Sequence, residues 1–381
     1  MYNSFIELVR DIYQSNELIP LHEPKFIGKE KENILEAIDS TFVSTNVGTY
    51  VSMFENLISD FTGSKFAVST VNGTSALHTS LLVNDIKKGH EVITQSLTFI
   101  STCNAISYVG AAPVFVDVSK ETLGLCPKAL ETFIEENCFI DDKERLINKN
   151  TKKIISACIP MHTFGFPSDI STISKICKKY HLILIEDAAE SLGSFQNKMH
   201  TGTFGNSSIL SFNGNKVITT GGGGMILTNS ESIAIKAKHL TTQARKVHKW
   251  NFDHDMIGYN YRLPNINAAI GCGQVETLSQ LLEAKRKIAS RYFQWGQQNN
   301  VKFIEESNNS KANYWLNTLL ADTKDQRDEF LEKTNAENIM TRPSWKPMHK
   351  LEMFKNCQKD ELKNTNWLAD RLVNVPSTPI L

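Results

Sequence analysis

The sequence predicts an α/β protein: a large domain with a mostly parallel sheet covered by helices, then a small C-terminal α+β domain. Three observations lead there. Short apolar runs rich in β-branched residues alternate with helical patterns from about residue 50 to 230. A long helical stretch then opens at Leu263-Pro264-Asn265, and mixed strand and helix patterns follow it. At 381 residues the chain also exceeds what one compact core holds. The division expected is 1–262 for the large domain, with an N-terminal helical segment, and 263–381 for the small one. No low-complexity linker separates them, so the long helix is the expected connector.

The expected strands of the large domain are Phe66–Thr70, Glu91–Gln95, Pro113–Val118, Lys153–Met161, Leu182–Asp187, Ser207–Phe212 and Met225–Thr228. Helices are expected at Ser75–Val83, Ile100–Val109, Pro127–Glu136 and Asp169–Tyr180, the last with Ser168 as its N-cap. This alternation reads as a doubly covered sheet that binds ligands at the carboxyl ends of its strands. In the small domain the long helix runs to about Gln298, Tyr314–Ala321 reads as a strand and Lys324–Asn335 as a helix. Ile339–Arg342 reads as a further strand before Pro343-Ser344-Trp345-Lys346-Pro347-Met348-His349.

Composition excludes several classes. Lys+Arg and Asp+Glu balance at 41 each, so no global basic field suits nucleic acid or an anionic membrane. No apolar run approaches the roughly 18–20 residues of a membrane span. The N-terminus is amphipathic and acid-containing, unlike a secretory signal. Seven cysteines, odd in number and without C-x-x-C spacing, argue for free thiols in a reducing cytoplasm and against a disulfide framework or a metal site.

The chemistry concentrates in two stretches. Leu182-Ile183-Leu184-Ile185-Glu186-Asp187 is an apolar strand that ends on a carboxylate. Ser211-Phe212-Asn213-Gly214-Asn215-Lys216 runs on through Thr220 into four glycines, Gly221 to Gly224. Glycine costs roughly 0.5–1 kcal/mol relative to alanine in regular structure, so such a run suggests close backbone approach. Alone, a strand-end Asp is as readily a helix cap, and a lysine is usually solvated. Together, at the ends of neighbouring strands, they meet the needs of pyridoxal phosphate. The lysine amine condenses with its aldehyde, and the carboxylate pairs with its protonated ring nitrogen. Upstream, Val71-Asn72-Gly73-Thr74-Ser75 is a small-residue turn opening a helix, and such a turn offers N–H groups and hydroxyls to a phosphate. Gly73, Thr74 and Ser211 are its candidate contacts; read alone, it is an ordinary capped turn.

The chain resembles the DegT/DnrJ/EryC1/StrS nucleotide-sugar aminotransferases, which are fold-type I pyridoxal phosphate enzymes. The markers span almost all of it: Asn72-Gly73-Thr74-Ser75-Ala76-Leu77, Gln95-Ser96-Leu97-Thr98-Phe99, Ala112-Pro113-Val114-Phe115-Val116-Asp117-Val118, Glu186-Asp187-Ala188-Ala189-Glu190, Ser211-Phe212 with Lys216, and Gly258-Tyr259-Asn260-Tyr261-Arg262. The resemblance implies that Lys216 is the Schiff-base lysine, Asp187 the acid on the ring nitrogen, and Phe99 an aromatic stacked on the ring. Glu190 falls near the cofactor's phenolic oxygen, and Gly73, Thr74 and Ser211 match phosphate binders. Asn260 and Arg262 match a segment that reaches the phosphate of a partner subunit, which implies a homodimer with shared sites. The sequence departs from relatives at Asn213, where they commonly carry His, and at the four glycines, where they often carry Gly-Glu-Gly-Gly.

The stretches Ile19-Pro20-Leu21-His22-Glu23-Pro24-Lys25-Phe26, Phe42-Val43-Ser44-Thr45 and Asn213-Gly214-Asn215-Lys216 resemble one branch more closely. That branch moves the amino group of L-glutamate to C4 of a UDP-linked 4-keto-6-deoxy-N-acetylhexosamine, in legionaminic acid or bacillosamine pathways for cell-surface glycans. A dTDP- or GDP-linked keto sugar is the enzymatic alternative, and a pyridoxal phosphate-binding regulatory protein the non-enzymatic one. His162, Asn213, Arg342 and Trp345 are candidate substrate contacts, with packing or surface roles as ready an explanation.

Overall fold

The computed structural model describes residues 2–44 and 49–381, so Thr45 of the branch motif lies outside the described residues. The seven strands expected for the large domain are the seven strands of its central sheet. They are β1 Phe66–Thr70, β2 Glu91–Gln95, β3 Ala112–Val116, β4 Ile155–Ile159, β5 Ile183–Asp187, β6 Ser207–Ser211 and β7 Gly224–Thr228. Their order is β1-β7-β6-β5-β4-β2-β3. The pairs from β6 to β3 are parallel, whereas β7 runs antiparallel to both β1 and β6. The inversion has a local cause. A parallel return needs a crossover helix. Between Ser211 and Gly224 the chain instead makes a tight Gly-rich turn, closed by Phe212 N–H on Gly223 O (2.9 Å) and Thr220 N–H on Phe212 O (3.0 Å).

Helices Gly73–Val83, Ile100–Tyr108 and Glu231–Thr241 pack Leu77, Leu81, Ile106, Ala237 and Leu240 with Ile159, Ile185, Ile209 and Ile226 of the strands. Leu130, Phe133, Ile170, Ile173 and Ile176 form a second layer, with Ile93, Val114 and Leu184, beneath Pro127–Asn137 and Ile170–Lys179. The N-cap of Ile170–Lys179 is Asp169, which accepts from Thr172 N–H (3.3 Å). The expected cap, Ser168, instead turns its N–H and hydroxyl to the His162 ring.

The long helix is Asn265–Asn299, and the four-stranded sheet beyond it is built from Lys302–Phe303, Asn317–Leu320, Arg342–Pro343 and Leu372–Val375. Ile339 makes an isolated bridge to Ile19, outside a named strand. The N-terminal helix Tyr2–Tyr13 departs from the expected division. Its buried face, Phe5, Val9 and Ile12, joins Tyr292, Trp295, Phe303, Phe330 and Val373, so it packs with the C-terminal unit. Amphipathic spacing marks a buried face but not which partner covers it. All seven cysteines are free, and among the described residues no helix is long and apolar enough to cross a membrane.

Candidate active site

The carboxyl ends of β1, β5 and β6 border a cavity of about 290 Å3 lined by Gly73, Thr74, Phe99, Asp187, Glu190, Ser211, Asn213, Lys216 and Trp345, with Ser101, Met161, Asn215 and Trp315 among the others. The strand pairing brings the key groups together. Asp187 sits opposite Ile209 in the parallel β5–β6 pair, so its carboxylate and the turn beyond β6 share one edge.

Asp187 is buried, its Oδ2 accepting the Thr102 hydroxyl (2.7 Å) and its Oδ1 Ala189 N–H (3.3 Å). Burial pushes its pKa up, against those hydrogen bonds and the charge of Lys216. Lys216 is paired with Glu190: Nζ lies 3.1 Å from Oε1, with the lysine side chain 13% exposed. Glu190 Oε2 accepts Phe164 N–H (2.9 Å). Burial raises the Glu190 pKa to about 7 despite the nearby Lys216. On its other side the Lys216 amine lies 4.0 Å from the centre of the Trp315 ring.

Asn72 caps the helix Gly73–Val83 by accepting Ser75 N–H (2.8 Å), so the helix begins at Gly73 and its first N–H groups face the cavity rim. The glycines make this turn possible. A Cβ at Gly224 would lie 2.5 Å from the backbone carbonyl of Asn72, and one at Gly73 would lie 3.1 Å from Ser211 Cβ. At Gly222 a Cβ would meet only Val71 O, at 3.9 Å. The glycine run is thus not uniformly demanded.

These residues fit pyridoxal phosphate. A helix N-terminus with the Thr74 and Ser211 hydroxyls suits a phosphate. A buried carboxylate whose lysine neighbour pairs elsewhere suits a cationic ring nitrogen, and a half-buried amine suits an aldehyde. Fold and site together define a pyridoxal phosphate-dependent aminotransferase. Residues 25–381 match the DegT/DnrJ/EryC1/StrS aminotransferase family, to which the chain belongs. It is 38% identical to GDP-perosamine synthase of Escherichia coli O157:H7, over 95% of this chain and 94% of that one. It is also 38% identical to the putative pyridoxal phosphate-dependent aminotransferase EpsN of Bacillus subtilis, over 88% of this chain and 84% of that one. Among solved structures, a DegT DnrJ EryC1 StrS aminotransferase from Brucella abortus superposes with a TM-score of 0.83 at 27% identity, covering 93% of this chain and 91% of that one.

Four expected residues lie off this cavity's lining. His162 is fully buried, its Nε2 3.2 Å from Glu186 Oε2 and its Nδ1 accepting Ser168 N–H (3.1 Å). It braces the strand end, and Met161 faces the cavity instead. Arg342 is exposed and donates to Asn335 Oδ1 (2.7 Å) and Thr341 O (2.8 Å). Asn260 and Arg262 flank Tyr261, whose carbonyl accepts Val71 N–H (2.7 Å) beside the phosphate turn. Their segment touches the turn while both side chains stay outside the lining. Thr102 and Trp315 escaped the sequence reading. Thr102 lies within the first turn of its helix, where only the Asp187 contact marks it; Trp315 sits in an apolar run that reads as strand.

Proposed function

We propose that the protein aminates C4 of a UDP-linked 4-keto-6-deoxy-N-acetylhexosamine, using L-glutamate as donor. The observation that carries the aminotransferase part is the Lys216 amine held within one cavity with the Asp187 carboxylate and the phosphate turn. When bound, pyridoxal phosphate supplies the carbonyl that takes up the amino group and the ring that accepts the electron pair. Lys216 moves the proton between the substrate's Cα and the cofactor side, first for glutamate and then in reverse for the sugar. Asp187 keeps the ring nitrogen protonated by a charge-assisted hydrogen bond. Glu190 and Phe164 N–H form the wall on which the lysine amine rests. Glutamate leaves as 2-oxoglutarate, and the keto sugar leaves as the amine.

The sugar nucleotide rests on the Leu21-His22-Glu23-Pro24 opening and the Asn213-to-Lys216 variant. A GDP-linked sugar is the second reading, favoured by relatives named GDP-perosamine synthase, at 38% and 34% identity. The working unit in this proposal is a homodimer. Its support is the segment bearing Asn260 and Arg262, which continues from the exposed apolar residues Val247, Trp250, Phe252 and Ile257. The test is incubation with L-glutamate and a panel of UDP-, GDP- and dTDP-linked 4-keto sugars, with the new C–N bond located by NMR. Amination of the UDP sugar is expected. Amination of the GDP sugar alone would move the assignment to the second reading, and no amination of any keto sugar would overturn both.

A further inference from the structure

Lys216 works by letting go. Over the proposed reaction its amine would leave the cofactor once, move a proton in each half and return only when the second half is complete, so between bonds it needs a fixed resting place. That place is defined by two groups, the Glu190 carboxylate at 3.1 Å and the Trp315 ring at 4.0 Å. An ammonium over an indole face is held electrostatically, most strongly when water is excluded, and the lysine side chain here is only 13% exposed.

The ring itself is not free to move. Its indole N–H donates to Asn215 O (2.6 Å), the carbonyl directly before Lys216, so ring and lysine share one turn. Its backbone N–H donates to Asn313 Oδ1 (2.8 Å). Asn313 in turn donates its amide to Glu190 O (2.8 Å) and Leu192 O (2.9 Å), so one buried side chain ties the Trp315 backbone to the Glu190 backbone. The Trp315 carbonyl accepts Lys285 Nζ (3.2 Å), which also donates to Ser377 O (2.6 Å). Lys285 is fully buried in the long helix, where burial drives its pKa well down and its amine donates to two carbonyls.

We infer that Trp315 is a positioning residue for the Lys216 amine, held in place by Asn313 and Lys285, so that the C-terminal unit sets where the lysine rests. This rests on the aminotransferase reading above, but its test does not. In cofactor-free protein, the rate at which an amine-reactive reagent labels Lys216 can be followed by peptide mass spectrometry at one pH. Trp315→Leu removes the ring and should raise that rate roughly two- to thirtyfold, the span that such a contact is worth. Trp315→Phe keeps a ring but loses the bond to Asn215 O, so its rate should fall between those of wild type and Trp315→Leu. In loaded protein, Trp315→Leu should lower kcat by about tenfold, with KM for both substrates little changed, because the contact acts on the lysine and not on either substrate. Melting temperatures identify any variant that fails to fold, and Trp315→Phe then carries the comparison against Asn313→Leu, which removes the acceptor of the Trp315 N–H and the donors to Glu190 O and Leu192 O and should also raise labelling. Equal labelling in wild type and Trp315→Leu, or Phe labelling as fast as Leu, would overturn the inference. Loss of glutamate-dependent amination in the wild type would defeat the functional reading and leave the labelling result standing.

Discussion

Asp187 and Glu190 sit three residues apart, both buried, and the cavity asks opposite things of them. In its proposed role Asp187 would stay charged to hold a ring proton, yet burial raises its pKa, so the cation met on loading would secure its charge. Asp187→Asn keeps the shape and the Thr102 contact but makes the bond to the ring nitrogen neutral. A charge-assisted bond is roughly twice as strong as a neutral one, so kcat should fall by about tenfold or more while cofactor content is retained. Unchanged turnover at full loading would remove Asp187 from its role. Glu190 has its pKa raised to about 7, so the folded protein holds a proton that the unfolded chain releases near the ordinary carboxylate range. The sign follows: this contribution to stability is present at acid pH and is lost as pH rises through about 7. Glu190→Gln should therefore flatten the decline in stability of the cofactor-free protein between mildly acid and neutral pH, by on the order of 2 kcal/mol. Equal pH profiles for the two proteins, measured by denaturant titration, would contradict the shift.

At the scale of elements, the glycine turn before β7 is where sequence and structure differ in an instructive way. Four consecutive glycines read as one feature, but the backbone demands them unequally. Gly224→Ala would drive a Cβ to 2.5 Å from the Asn72 carbonyl, in backbone that cannot give way cheaply. It should cost about 1–3 kcal/mol of stability and weaken cofactor retention, because the phosphate turn would have to shift. Gly222→Ala meets ordinary van der Waals space and should be close to neutral in both measurements. Equal losses of pyridoxal phosphate from the two variants on dialysis would count against this account of the turn. The seven strands were readable because each is a bounded apolar run, and the candidates Asp187 and Lys216 because one ends such a run and the other sits in the turn that follows the next. The inversion of β7 was not, since strand direction depends on whether a crossover helix fits, and composition does not record that. Trp315 was hidden for a related reason: nothing in Asn313-Tyr314-Trp315 marks a residue that folds back onto a lysine distant in sequence. His162 was open both ways. A histidine at a strand end is as readily a substrate contact as a packed side chain, and here it lies against the buried Glu186 carboxylate.

At the scale of the whole molecule, the C-terminal unit closes one side of the site and the N-terminal helix locks onto that unit. The described chain still leaves Asn260 and Arg262 outside its own cavity. If these residues serve a second copy, an inactive Lys216→Ala protein mixed with an inactive Arg262→Ala protein should regain activity after subunit exchange. One site of the hybrid then carries neither change, so recovery should approach roughly a quarter of wild type when exchange is random. No recovery despite verified exchange would argue for sites built within one chain.

The central claim is that this cavity carries an amino group from one substrate to another through Lys216. Its most direct test is a single turnover with nitrogen-labelled L-glutamate, the cofactor-loaded protein and a UDP-linked 4-keto-6-deoxy-N-acetylhexosamine, followed by NMR of the sugar. The account predicts labelled nitrogen on C4 of the product with wild-type protein and none with Lys216→Ala at the same cofactor occupancy. Transfer by the Lys216→Ala protein at the wild-type rate would contradict it.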